Sequence, residues 1–491
     1  MSDRLFAVAL TTVVLVGLPM RDAVAARPPN VIVILADDLG YSDLGCQGGK
    51  LYKTPHIDSL AEHGVRCTSG YTSGCVCAPT RSGLMTGRYQ QRFGFEFNPA
   101  PMTQAAGEAA YFGLPVSETT LADMLRGAGY KTGMVGKWHL GQEPQLVPTR
   151  RGFDDFFGFL EGAHNFIYNA QYDDDPREVI VMQRAIFRGT QVVREKEYLT
   201  DAFAREAVEF VDRNQKQPFF LYLPFNAVHS PLQAPPKYLE RVAGIGDRQR
   251  ELYAAVLTAM DDAIGRVLDK LRELKIEEET LIFFLSDNGG APWPYNATNN
   301  LPLNGKKGQL VEGGMRVPFL VQWRGKLPEG KTYDEPVSSL DIFSTSVAAV
   351  GATLPTDRII DGVNLLPYLQ GKNTTPPHDA LYWRYGDDRA MRRGQWKLIK
   401  TKDYPAQLYN LSKDIGETTD LSQKETWLVN ELETQLKRWD AELIPPSWRP
   451  ENAYAASAAD FLYEMLSDDR LLALPALPTP RSPLPTTNSK P

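Results

Sequence analysis

Cysteine is scarce, with four in 491 residues, and Cys75 and Cys77 are separated by a single position. Four are too few for a disulfide framework, and a disulfide between so close a pair would be strained. The pair is also one residue short of the usual zinc spacing, and no second pair exists. Positive charge is in deficit as well: 53 Lys and Arg against 60 Asp and Glu give a formal net charge of −7. This argues against a nucleic-acid partner, because neutralising phosphates supplies the affinity of such proteins. With 43% hydrophobic and 23% charged residues, the chain has the composition of an ordinary soluble protein, which excludes disorder, a collagen-like repeat and a disulfide-stapled miniprotein. The apolar run from Leu5 to Leu18 is too short for an ordinary membrane span. It lies between a charged start and the small residues Ala23-Val24-Ala25-Ala26. Residues 1–26 therefore read as a secretory signal peptide, which implies a secreted or periplasmic protein with no stable membrane anchor after cleavage; an uncleaved anchor is the alternative.

The body of the chain alternates strand and helix. Asn30 to Leu35 is a continuous apolar, β-branched run, suited to a strand covered on both faces, and it ends in Asp37-Asp38. A helical pattern after Ser117 places Leu121, Met124, Leu125 and Ala128 on one face. A short strand from Tyr130 follows and leads to Lys137-Trp138-His139. The grammar recurs with a helix around Ala202 to Val211, the strand Phe219 to Leu223, then Asn226 and His229. It recurs again with a helical stripe from Val256 to Leu271, the strand Leu281 to Leu285, then Asp287-Asn288-Gly289. The expectation is an α/β fold, with a doubly wound, mostly parallel central sheet flanked by helices, and ligands bound outside the carboxyl ends of the strands. Residues 27–375 form this catalytic unit. Short strand-like pieces at 380–385, 390–393 and 396–400, then a helix near 427–443, predict a small C-terminal antiparallel sheet with a helix across 376–465. The Pro-rich tail, 466–491, is expected to lack fixed structure.

Two strand ends carry paired oxygen ligands, Asp37 with Asp38 and Asp287 with Asn288. Carboxylates held together in a partly buried cleft repel unless a cation compensates, and all-oxygen donors favour Ca²⁺ or Mg²⁺ over zinc. One such strand end alone would equally suit a helix cap or a turn. Cys77, followed by Arg81, is either a small buried hydrophobe or a thiolate stabilised by the guanidinium.

The segment Cys77-Ala78-Pro79-Thr80-Arg81, with Met85-Thr86-Gly87-Arg88, resembles the sulfatase signature, whose cysteine is oxidised to Cα-formylglycine. Asp37-Asp38-Leu39-Gly40, Gly136-Lys137-Trp138-His139-Leu140-Gly141, His229 before Ser-Pro, Asp287-Asn288-Gly289, and Lys307 before Glu312-Gly313-Gly314 also resemble family blocks, in family order. Gln395-Trp396-Lys397-Leu398 and Leu408-Tyr409-Asn410-Leu411 resemble the family's C-terminal subdomain. The resemblance implies an alkaline-phosphatase-like scaffold that hydrolyses sulfate monoesters, with Ca²⁺ held by Asp37, Asp38, Asp287 and Asn288 beside modified Cys77. It implies that Arg81 and Lys137 orient the hydrated aldehyde, that His139 takes its proton, and that His229 and Lys307, or less readily Lys306, contact the sulfate and the departing oxygen. A formylglycine-generating or sulfatase-maturating enzyme is the implied partner, and a sulfated small molecule or glycan the implied substrate. Two rivals are a phosphate or phosphonate ester hydrolase on the same scaffold and a non-catalytic binder of sulfated glycans with Cys77 unmodified. Phe153, Phe156 and Phe157 either wall the pocket or form core; Trp293 and Tyr295 are further wall candidates.

Overall fold

A computed structural model describes residues 27–99, 112–168, 185–291, 297–402 and 404–448. The leader, Trp293, Tyr295 and the Pro-rich tail lie outside these residues. Strands β1 (Asn30–Ala36), β4 (Lys131–Lys137), β5 (Asp155–Phe159), β8 (Phe219–Pro224) and β9 (Thr280–Ser286) form the parallel heart of a ten-stranded sheet, in the order β9-β1-β8-β4-β5. On the β9 side the sheet continues through β10 (Phe319–Gln322), β2 (Val65–Cys67) and β11 (Lys331–Tyr333); on the β5 side it ends in β6 (Ile186–Arg188) and β7 (Gln191–Val193). Strand β10 runs antiparallel to both of its neighbours, and β3 (Gly70–Tyr71) pairs in parallel with β12 (Val337–Ser338) in a separate two-stranded sheet.

The unbroken apolar character of β1 follows from burial on both faces. Ile32 and Ile34 pack towards α1 (Pro55–Glu62), α4 (Leu199–Asn214) and α5 (Arg248–Glu273), in one core with Leu60, Phe203, Phe210 and Ile264. Val31, Val33 and Leu35 point to the other face, where α2 (Cys77–Thr86), α3 (Leu121–Gly127) and α6 (Asp341–Ala349) contribute Leu84, Leu125 and Phe343. The phenylalanines at 153, 156 and 157 are buried in these two cores rather than in a pocket wall. Phe153 stacks on Phe220 and Tyr222 and meets Trp138 edge-on. Helix α3 begins at Leu121, the first residue of the face read from the sequence, and Thr120 caps it in a reciprocal capping box with Asp123.

The C-terminal part is an antiparallel meander, β13 (Leu381–Tyr385), β14 (Asp388–Arg393), β15 (Trp396–Lys400) and β16 (Gln407–Asn410), followed by α7 (Thr426–Asp440). One face of this sheet packs Met391, Leu398 and Leu408 against Leu432, Leu436 and Trp439 of α7. The other face, with Trp383, Ala390 and Ile399, lies on Tyr71, Cys75 and Met315 of the catalytic unit. After α7 the chain returns to the large unit, where Trp448 is buried and donates to the carbonyls of Phe97 and Asn98 at 3.1 Å. Among the described residues no helix is long and apolar enough to cross a membrane.

Candidate active site and metal centre

The parallel register places the site. Ala36 pairs with Ser286, so β1 and β9 end at one level and release Asp37 and Asp287 side by side. The backbone N–H of Asp287 donates to the Ala36 carbonyl, and that of Asp37 to Ala227, which follows β8. The next residue, Asp38, turns into the left-handed region at φ 61°, an uncommon conformation for a residue with a Cβ. Its N–H donates to Asp287 Oδ1 at 3.2 Å. His139, two residues beyond the end of β4, is held at φ 60°. Left-handed backbone at two such polar residues is the kind of local strain that surrounding structure must fix in place.

Cys77 comes from the opposite side, at the first position of α2. Pro79 in the first turn is tolerated because its missing N–H falls among donors that have no intrahelical acceptor. Gly87 ends the helix at φ 68° and packs on Phe343, leaving no room for a side chain. Arg81, four residues after Cys77, shares its face of the helix. Its Nε and Nη2 both donate to Asp287 Oδ2, at 2.9 and 2.7 Å, and its Nη1 donates to the Lys137 carbonyl at 3.1 Å. Lys137 Nζ donates to Asp37 Oδ2 at 2.5 Å, and the Cys77 thiol lies 3.6 Å from Asp37 Oδ1. Lys307 Nζ reaches Asp38 at 2.9 Å, and His229 Nε2 lies 3.6 Å from the same carboxylate. The residues expected to hold a metal or do chemistry, Asp37, Asp38, Cys77, Arg81, Lys137, His139, His229, Asp287, Asn288 and Lys307, converge here. Of the two lysines, Lys307 brings its ammonium to Asp38, and neighbouring Lys306 gives its backbone N–H to Gln309 Oε1.

Burial sets the protonation of these groups. It pushes the Cys77 thiol up, so the unmodified side chain is not a thiolate, and the Arg81 fork is committed to Asp287. Burial and then neighbouring Asp37 push the Asp287 carboxyl up to about 6 despite Arg81 and Lys137. Burial also works on Asp38, but Lys307 and His229 hold it well below the usual carboxylate range. For His139, burial followed by Lys137 and Arg81 keeps the imidazole neutral, and its Nδ1 has no hydrogen-bond partner among the described residues.

Donor atoms of Asp37, Asp38, Cys77 and Asp287 lie within 4.8 Å of one another. Beside them Asn288 gives its Nδ2 to Asp38 Oδ1 at 2.7 Å, whereas its Oδ1 is buried with no partner among the described residues. A buried carbonyl oxygen without a donor is costly, and a hard cation bound by three carboxylates would satisfy it. The residues therefore fit Ca²⁺ or Mg²⁺. Sequence reasoning missed Gly162, which roofs His139: a Cβ there would sit 2.8 Å from His139 Nε2. Nothing in the sequence around Gly162 shows which side chain it would cover.

A buried cluster of acids ringed by fixed cations and imidazoles suits an oxyanion held beside a divalent metal, a combination used by hydrolases of anionic esters. Known proteins narrow this class. The sulfatase family model matches residues 29–352, and one described as N-sulphoglucosamine sulphohydrolase, C-terminal, matches 306–442. The chain belongs to the sulfatase family and is a sulfuric ester hydrolase. It is 36% identical over 387 residues to N-acetylgalactosamine-6-sulfatase of Sus scrofa, covering 76% of this chain and 72% of that protein. It is 33% identical over 433 residues to steryl-sulfatase of Rattus norvegicus, covering 73% and 74%. The crystal structure of Ps i-CgsB in complex with k-i-k-neocarrahexaose superposes with a TM-score of 0.81 at 35% identity, covering 91% of this chain and 99% of that one.

Proposed function

We propose that the exported protein removes sulfate from a sulfated carbohydrate, using a formylglycine made from Cys77 and a Ca²⁺ ion held by Asp37, Asp38, Asp287 and Asn288. The observation that carries this reading is the placement of Cys77 at the start of a buried helix, within ligand distance of three carboxylates and one helical turn from Arg81. A maturating enzyme is the required partner for the modification. A hydrated aldehyde supplies two hydroxyls on one carbon, one to attack sulfur and one whose deprotonation releases sulfate. Held by Asp37, Asp38, Asp287 and Asn288, a Ca²⁺ ion would offset charge on the sulfate oxygens and make the attacking hydroxyl more acidic.

The chain's own groups do the rest. Arg81 and Lys137 fix the hydroxyls over the acid pit. Neutral His139 accepts the proton when sulfate leaves. His229 and Lys307 hold the sulfate and give a proton to the departing alcohol. A relative named for N-acetylgalactosamine and a structure holding a neocarrahexaose favour a carbohydrate, with small aryl sulfates expected to serve as synthetic substrates. The leader in residues 1–26 supports secretion or export to a periplasm.

Intact mass of the Cys77 peptide from the native host tests the central step. Conversion of the thiol to the aldehyde lowers the mass by about 18 Da. The matured enzyme should release sulfate from defined sulfated saccharides, and Cys77→Ala should lose nearly all turnover. An unmodified peptide with intact glycan binding would establish the binder instead. Faster turnover of matched phosphate esters would defeat the sulfate assignment.

A further inference from the structure

The C-terminal sheet places none of its residues in the pit, yet its face towards the catalytic unit carries two buried cations. Arg392 on β14 and Lys397 on β15 are directly paired across the strands. Like charges opposite one another on a buried face are unfavourable without compensation. Compensation comes from the catalytic unit through Glu312, whose side chain is fully buried. Lys397 Nζ donates to Glu312 Oε1 at 2.8 Å and lies 3.0 Å from Glu417, which follows β16. Tyr71 donates its hydroxyl to Glu312 Oε2 at 2.5 Å and accepts from Arg392, while Arg316 adds a bond at 3.2 Å. Glu417 also accepts the Glu312 backbone N–H at 2.8 Å, so main chain and side chain are both clamped. Burial works against the charge on Glu312, but Lys397 and the two arginines hold its carboxyl down at about 2.

The turn that Glu312 opens, Glu312–Met315, abuts both halves of the site. The Gly289 N–H, next to Asn288, donates to the Gly314 carbonyl at 3.0 Å, and a Cβ on Gly289 would collide with the Gly313 carbonyl at 1.8 Å. Gly313 N–H closes the preceding loop onto Asn304 at 2.6 Å. Within that loop Lys307 N–H bonds Gly290, and Gly308 N–H bonds the Cys75 carbonyl at 2.8 Å. Any shift of the turn is therefore felt at Asn288, at Lys307 and beside the nucleophile.

We propose that Glu312 is a positioning residue, locked by Lys397 and Glu417 of the C-terminal subdomain, that sets Lys307 and Asn288 in their working places. The inference rests on the roles given to those two residues under the proposed function. A buried pair that has only structural work can be removed whole with little cost, whereas removing one partner strands a charge. This separates the two roles experimentally.

Turnover of an aryl sulfate, Ca²⁺ affinity by calorimetry and Tm are measured on the matured full chain for Lys397→Met, Glu312→Gln with Lys397→Met, the milder Glu417→Gln, and Leu398→Val as a control in the same sheet. Lys397→Met should lower kcat at least tenfold and weaken Ca²⁺ binding with a smaller change in KM. The double variant should regain Tm without regaining kcat, and Glu417→Gln should show a lesser loss of kcat. If Lys397→Met does not fold, the double variant and Glu417→Gln carry the test. Return of kcat together with Tm, or losses no larger than those of Leu398→Val at equal Tm, would overturn the proposal. Lys307→Ala identifies which idea fails: wild-type turnover in that variant rejects the site assignment itself, whereas a dead Lys307→Ala beside a fully active Lys397→Met rejects only the positioning role.

Discussion

At the scale of single residues, backbone constraint acts on the site beside its ion pairs. Asp38 and His139 both adopt left-handed backbone, and His139 is covered by a glycine with no space beside it. The closeness of Gly162 to the imidazole gives a sharp expectation, because a real Cβ cannot remain 2.8 Å from Nε2. In Gly162→Ala either the loop or the ring must move by a few tenths of an ångström. Misplacement of a catalytic group by about 1 Å can cost a hundredfold in rate, so a loss in kcat of about tenfold is expected. The backbone at Gly162 is not in the left-handed region, and Tm should change little. Steady-state kinetics on an aryl sulfate with parallel melting curves checks both; unchanged kcat would mean that the loop does not fix His139. Of the two options for Cys77, the small buried residue describes the thiol as it stands, since Arg81 is turned to Asp287.

At the scale of elements, the join between α6 and β13 contains a titrating clamp. Asp341, at the first position of α6, accepts the backbone N–H groups of Ser338 and Val363 and is met by His378 Nε2 at 2.8 Å. Burial works against the imidazolium, but Asp341 raises the His378 pKa above its ordinary 6.5. A raised folded pKa means that the folded state holds the proton more tightly. The stabilisation is therefore complete below the unfolded value and fades as pH rises through the folded one. Denaturation midpoints of wild type and His378→Gln should differ most in mildly acid solution and converge above the folded pKa of His378; a difference independent of pH would remove His378 from the linkage. Elements of this kind were partly legible. The β-branched run of β1 and the stripe of α5 announce themselves, and the Thr120-x-x-Asp123 box stands just before the apolar face that begins at Leu121. The direction of β10 was not legible, because an antiparallel strand beside β9 differs from a parallel one only in how distant segments connect. The phenylalanines of β5 carried no sign of which layer they would enter.

At the scale of the whole molecule, the site is a product of long-range pairing. Family blocks in order named its residues, but nothing local joins Lys397 to Glu312, 85 positions away. The same distance argument governs the metal. Asp38 and Asn288 are 250 positions apart and meet only when β1 and β9 lie side by side. An unfolded chain has no such ligand set, so a cation that binds there binds the native state alone and stabilises it by about 2.7 kcal/mol at a concentration one hundred times its Kd. Chelation should lower Tm by a few degrees, and Ca²⁺ should restore it in a concentration-dependent way, together with turnover. Asp38→Asn should blunt the response, because it removes one formal charge from the pit and weakens its hold on a hard cation. Restoration by Mg²⁺ and not Ca²⁺ would change the identity of the ion while keeping its place. A Tm indifferent to both would mean that Lys137, Arg81 and Lys307 alone balance the three carboxylates, three charges against three, and that the orphaned oxygen of Asn288 serves some other donor.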